Sequence, residues 1–317
     1  MKRKHLFVAA TTVLLGIQIG YAQTDAKTPK APKAQQKTAV LPPAAVEQSK
    51  PEPPPPPPPP FEPVFWKEGI SPVEFLRNNP PKVYEWIETQ IKATPGKPDQ
   101  FSTREERQRY ETELAERMKT VGPLAFMTGC EKKYDADYHV FEIKSHAFAI
   151  NDFMLKNPDP EALKLRKFMV GRANVKRDSY TGHNAYGATA EVVREVSDDY
   201  FLSYPSGSDS EPSSIVKRDP ISLSTQLRYR YDVIYYATSV PMIPAVAREK
   251  EREISCLAVV SLEPPYLFKF EERDTPTRSL PYDKTSNGFA FYGKLDHLWI
   301  VNRETGEVYS KHSRGGL

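Results

Sequence analysis

The chain has 317 residues, with 44 basic and 41 acidic side chains and a formal charge of +3. Lys2, Arg3 and Lys4 account for the excess, so the remainder is neutral; it lacks the basic patch of a nucleic-acid binder and gives no support to a role on an anionic membrane surface. Two cysteines, Cys130 and Cys256, are too few for a disulfide-framework scaffold, so the folded part must be held by its own core.

The three basic residues precede an apolar run of 15 residues, Leu6 to Gly20, and Gly20-Tyr21-Ala22 puts small residues where a signal peptidase reads. These are the parts of a secretory signal. A spanning helix wants roughly 20 apolar residues, so residues 1–22 are expected to be a cleaved signal peptide, with an uncleaved anchor as the alternative. No Cys follows the run, which excludes a bacterial lipoprotein signal. The expected address is periplasmic or secreted. In an oxidising compartment a disulfide between Cys130 and Cys256 would persist, closing a loop of well over a hundred residues. Two buried thiols packed as small hydrophobes are the equal alternative.

Residues 23–62 are expected to be a disordered, proline-rich linker. Ala, Lys, Gln and Pro dominate it, and eight consecutive prolines run from Pro53 to Pro60. As polyproline II they would reach about 25 Å. A spacer is the preferred reading; a ligand for an aromatic-lined groove is the other. The leader and linker resemble those of energy-coupling proteins with proline-rich periplasmic spacers. That resemblance covers no more of the chain, and it implies a membrane-anchored coupling protein with its anchor uncleaved.

A helical region is expected over 63–120. Ser71-Pro72 with Glu74 starts a short helix that Asn78-Asn79-Pro80-Pro81 stops. Val83, Trp86, Ile87 and Ile91 then give one apolar stripe, ended by Ala93–Gly96. Thr103 and Glu106 form a capping box before Tyr110, Leu114 and Met118. The charges between them predict a solvated face with pairs such as Glu105–Arg109 and Glu113–Arg117.

A mainly antiparallel, β-rich domain is expected over 121–317, making the fold class α+β. Strands are predicted at Leu124–Thr128, Tyr138–Ile143, Ala147–Ile150, Val192–Val196, Tyr200–Tyr204 and, by clear alternation, Gln226–Tyr236. Ser206–Ser214 is expected as a loop. A helix over Ala245–Arg252 precedes a buried strand, Cys256–Leu262, which Glu263-Pro264-Pro265 ends. Leu298–Val301 and Glu307–Tyr309 flank a Gly-containing turn.

Candidate site residues are sparse. Asp135 and Asp137 share a side if extended and would suit a hard cation, but Glu131–Asp135 favours a solvated hairpin turn, so no metal and no cofactor are expected. Ser214-Ile215-Val216-Lys217 has a serine-x-x-lysine spacing, and Lys284-Thr285-Ser286 resembles its companion motif without the glycine; the context argues for chance. His139, His146, His183, His297 and His312 show no metal-ligand spacing. His183-Asn184-Ala185-Tyr186-Gly187, bracketed by glycines, is the first choice for a loop presenting polar side chains, so His183, Asn184 and Tyr186 are binding candidates. Three strings (Phe101–Glu106, Tyr134–Asp137 and Asn184–Gly187) are similar to patterns in exported bacterial proteins, a resemblance that implies no activity.

The expected function is a non-catalytic envelope protein that binds a partner protein or a cell-wall component. A hydrolase whose site assembles only in three dimensions is the first alternative, and the anchored coupling protein the second.

Overall fold

The computed structural model describes residues 60–149, 165–183, 189–205, 209–218, 233–277 and 280–315. The chain divides into the units Met1–Pro57 and Pro58–Leu317, and all of these residues belong to the second. The signal peptide, the linker before Pro60, Asn184, Tyr186 and the first seven residues of the strand expected at Gln226 lie outside the described residues.

The second unit is β-rich with few helices, broadly α+β. Its strands are β1 (Leu124–Thr128), β2 (Glu131–Asp135), β3 (Val140–Ala149), β4 (Leu165–His183), β5 (Thr189–Pro205), β6 (Val216–Arg218), β7 (Val233–Pro241), β8 (Ile254–Asp274), β9 (Tyr282–Asn302) and β10 (Val308–Ser313). They form one curled, mixed sheet in the order β1-β8-β9-β5-β4-β3-β7-β6, with β10 added to β9 and β2 to β3. β5 and β9 run parallel, from Val193↔Tyr282 to Ser203↔Tyr292. The other pairings are antiparallel. The chain passes from β1, which lies on β8, to β2, which lies on β3, at Gly129-Cys130. That short step joins distant parts of the strand order and shows how far the sheet curls.

Among the described residues three α-helices accompany the sheet: α1 (Pro80–Lys92), α2 (Arg104–Lys119) and α3 (Pro244–Lys250). α1 starts where Asn79 accepts a hydrogen bond from the Lys82 amide, and Pro80 and Pro81 occupy positions whose N–H groups would be unpaired anyway. Its stripe buries Val83, Tyr84 and Ile87, each such apolar side chain adding roughly 1.5–3 kcal/mol. Trp86, expected in the stripe, lies to one side against Phe65 at 5.6 Å. α2 has the expected capping box, Thr103 with Glu106. The ion pair on its charged face is Glu116–Lys119; neither Glu105–Arg109 nor Glu113–Arg117 forms among the described residues. α1 shares one core with the strands, where Val83 and Ile87 meet Leu124, Phe126, Leu202 and Phe291.

Asn78, read from sequence only as part of a helix stop, is a buried strut. Its Oδ1 accepts from the Val64 amide at 2.8 Å, and its Nδ2 donates to the carbonyls of Val64 (2.8 Å) and Ala125 (2.9 Å). It ties the segment before α1 to β1. Asn78→Ala removes the Asn78 bonds to three backbone groups, one buried and two part-buried, so the unfolding free energy should fall by about 2–4 kcal/mol in a urea titration. A loss below about 0.5 kcal/mol would mean that water replaces the strut.

The strands depart from expectation in informative places. β2, where the run of charges predicts a turn, pairs with β3 from Glu131↔Lys144 to Asp135↔Val140. Its charges sit on a half-solvated strand. β3 is continuous where two strands were expected, because Ser145 is buried despite its polarity. β5 likewise unites Val192–Val196 and Tyr200–Tyr204. β8 continues past Pro264-Pro265, absorbing them in a register shift between Leu262 and Leu267. β4 was not anticipated at all.

Candidate functional site: a polar arm built on β4 and β5

Among the described residues β4 pairs with β3 only at Phe148↔Lys167 and Ala149↔Arg166, then continues as a hairpin with β5 to His183↔Thr189. Every β4 residue from Asn174 to Thr181 is exposed. Beyond Gly171 this hairpin, backed by the first residues of β9 and the last of β8, leaves the core as an arm. At its root, Pro80 of α1 packs where a Cβ on Gly171 would stand, and Tyr84 lies 5.3 Å from the Phe289 ring and 6.1 Å from Tyr200.

Cross-strand polar pairs on both faces hold the arm. One face centres on two carboxylates, Glu195 and Asp199, each only 1% exposed. Arg172 grips Asp199 with two bonds, Nε to Oδ1 at 2.7 Å and Nη2 to Oδ2 at 3.2 Å. Ser286 donates to Oδ2 at 2.7 Å and Ser197 to Oδ1 at 3.0 Å, with the Lys284 ammonium 3.9 Å away. Glu195 receives Arg177 Nε at 2.5 Å and Arg172 Nη1 at 3.3 Å. Burial works to raise both carboxyls. It is outweighed at Asp199 by Ser286 and Arg172 and at Glu195 by Arg177 and Tyr282, so both stay below the usual carboxylate range. Elsewhere on the arm Arg194 pairs with Asp178 through two bonds, Tyr180 donates to Asp283 at 3.2 Å, and Asn174 and Asn287 both donate to Asp198.

Beside this network Lys167 is 4% exposed. Its ammonium pairs with Glu272 and lies 4.9 Å and 5.1 Å from the ring centres of Phe201 and Phe270. Burial, with Lys284 adding to it, pushes its pKa down to about 7. The outer end of the Phe270 ring abuts Gly288, where an added Cβ would stand 2.5 Å from ring carbons. Gly288→Ala should therefore displace Phe270 and open the lysine's surroundings, at a cost of about 1–3 kcal/mol in thermal or urea unfolding. An unchanged midpoint would show that the ring shifts freely.

The candidates picked out of the sequence fall in separate places. His183 is exposed at the last pair of the arm; Asn184 and Tyr186 follow it outside the described residues. Asp135 ends β2 and accepts from the amides of Asp137 (3.0 Å) and Tyr138 (3.1 Å), so its carboxylate organises a turn. The chain reverses there, so the two aspartates do not line one side of an extended strand. Among the described residues no group of three His, Cys, Asp or Glu side chains converges as a metal site would need. Ser214 stands in a three-residue turn and Lys217 on β6, away from the helix N-terminus that serine-x-x-lysine chemistry requires. Lys284 and Ser286, set aside with that motif, are both partners of Asp199. Cys130 and Cys256 are free thiols.

Two His–Ser contacts involve β10. His297 Nδ1 lies 2.9 Å from Ser313 Oγ, and His312 Nε2 lies 2.9 Å from Ser310 Oγ and 3.0 Å from Thr238 Oγ1. Burial holds both imidazoles below their usual range. Asp296 bonds Ser261 and Arg314 rather than His297. A depression of about 560 Å³ where the loop after α1 meets α2 is lined by Lys97, Asp99, Phe101, Arg109 and Tyr110, and neither the histidines nor the arm contribute to it. No described helix is long and apolar enough to cross a membrane. No family model, curated protein or solved structure matches the chain.

Proposed function

We propose that the chain is an exported, periplasmic or secreted, non-catalytic envelope protein, and that the arm is the surface that meets a partner protein or a cell-wall component. Residues 1–22 are its cleaved export signal and residues 23–62 its spacer. Residues 63–120 form the helical region and 121–317 the mainly antiparallel β-rich domain that carries the arm. No cofactor or metal enters this reading.

The observation that carries it is the arm's construction. Val175, Tyr180 and Val193 are exposed on it, and Leu280 is exposed beside the start of β9. Meanwhile, the oxygens of both buried carboxylates are engaged by neighbouring side chains. Such a network holds a surface in one shape and presents Arg172, Arg177 and Lys284 at its margin. Preorganisation of this kind lowers the ordering cost of binding. The test compares wild type with Val175→Ser/Val193→Ser and with Lys176→Glu, all at exposed positions of the arm outside its polar network, using purified cell-wall sacculi and envelope fractions. Loss of retention in the arm variants, with unfolding midpoints unchanged, supports the reading. Equal retention, or turnover of wall or ester substrates by the purified protein, counts against it.

The hydrolase alternative draws on the His–Ser contacts at β10, of which His297–Ser313 involves a residue of β9 as well. Hydrolysis abolished by Ser313→Ala would favour it. Peptide mapping of the mature N-terminus separates export with cleavage from the anchored coupling protein: Gln23 as first residue supports the former, an intact leader in the membrane fraction the latter.

A further inference from the structure

Cys130 occupies the corner at which the chain steps from β1 to β2. The residues on either side are fixed on different strands, Thr128 opposite Cys256 on β8 and Glu131 opposite Lys144 on β3. Ser145, the next residue of β3, is 2% exposed, and Cys256 is fully buried. The corner is therefore wedged between β8 and β3, and there Cys130 packs against the core cluster that contains Cys256, near enough for the two thiols to interact. Lys132 clamps the corner further, donating to the carbonyls of Glu251 at 2.6 Å and Ile254 at 3.1 Å. The chain has no other cysteine.

We infer that Cys130 and Cys256 are an oxidation site that closes to a disulfide, fastening the β1–β2 corner to β8, with Cys130 as the sulfur that reacts first. Cys130 is partly exposed, whereas Cys256 is sealed in the core. The Cys256 contact, and then Lys132, hold the Cys130 thiol below its usual range, while burial pushes Cys256 up. The oxidant is a disulfide compound. The Cys130 thiolate attacks one of its sulfurs, its S–S bond breaks, and one thiolate leaves. Cys256, losing its proton, then attacks Cys130 Sγ and expels the second thiolate. Two protons and two electrons leave the protein, and one disulfide is reduced to two thiols. This goes beyond the proposed binding role and does not depend on it, because the readout is thiol chemistry and needs no partner.

The experiment incubates the purified, fully reduced chain with oxidised glutathione. Free thiols are counted with a maleimide, intact mass is recorded, and the linked peptides are mapped. The expected result is loss of both thiols, no glutathione retained, a Cys130–Cys256 linked peptide, and a melting midpoint raised by about 10 °C that reductant reverses. Cys256→Ser should retain one glutathione on Cys130, and Cys130→Ser none. Two thiols still free in the wild type, glutathione left on Cys130, or a chain-to-chain dimer would overturn the disulfide. Glutathione on Cys256 in the Cys130→Ser variant would overturn the order of attack.

Discussion

Asp199→Ala lowers the unfolding free energy by about 3 kcal/mol and loosens the arm before the core. Removing this carboxylate leaves Arg172 without its two-bond partner and frees the Ser197 and Ser286 hydroxyls in a buried place. Breaking a buried ion pair from one side costs about 3–5 kcal/mol. The Arg172 side chain is 32% exposed and can rehydrate, which puts the loss at the lower end. Asp199→Asn keeps the volume but turns an amide donor toward Arg172, so it should recover little. Urea titration gives the global loss. Amide exchange should show β4 and β5 opening beyond Gly171 while β8 near Cys256 stays protected. A loss below about 1 kcal/mol, with arm amides unchanged, would show that the network adds nothing to rigidity. The folded pKa of Asp199 is depressed, so its contribution is present above the ordinary carboxylate range and disappears as pH falls through the lower folded value. The alanine variant should lose correspondingly less stability in acid.

Lys167 makes the protein more stable in mild alkali. Its pKa falls from 10.5 to about 7 on folding. Between those values the unfolded chain binds a proton that the folded chain does not, so the unfolding free energy rises with pH by up to about 1.4 kcal/mol per unit. The contribution is complete above the unfolded value and is lost as pH falls toward 7. The useful window ends at about pH 8.5, because Cys256 and then tyrosines such as Tyr84 and Tyr204, all raised by burial, pull the other way once their unfolded counterparts ionise. Asp199 and Asp274 oppose the shift, and a charged Lys167 also has Glu272 as an ion-pair partner. Stability measured from pH 7 to about 8.5 should climb in the wild type and stay level in Lys167→Met. Parallel profiles would show that the ammonium keeps its charge and that these carboxylates outweigh burial.

What the sequence revealed follows from how local each cause is. The capping box of α2, the strand Leu124–Thr128 and the turn before β10 depend on residues within a few positions of one another, and each stands where its residues predict. β4 gave no such signal. Its outer half is exposed on both faces, so no apolar alternation marks it as a strand. The arm network was equally hidden, because the Arg172–Asp199 contact spans 27 positions and Ser286–Asp199 spans 87. Only the parallel register of β5 and β9 brings the latter together. The closeness of Cys130 and Cys256 has the same origin, since a sequence shows two thiols but not the corner between β8 and β3.

The β5–β9 pairing also sets an order of assembly. The segment Val193–Ser203 emerges long before Tyr282–Tyr292, the strand that completes its second side. A chain delivered from its N-terminus can zip β4 to β5 early, but it then carries an open edge with Val193 on it until β9 arrives. Such late, distant pairing is slow, and an uncovered edge invites pairing with another chain. Refolding at rising concentration should thus divert into aggregates at this stage, and a truncation before Tyr282 should be far more prone to aggregate than the whole chain.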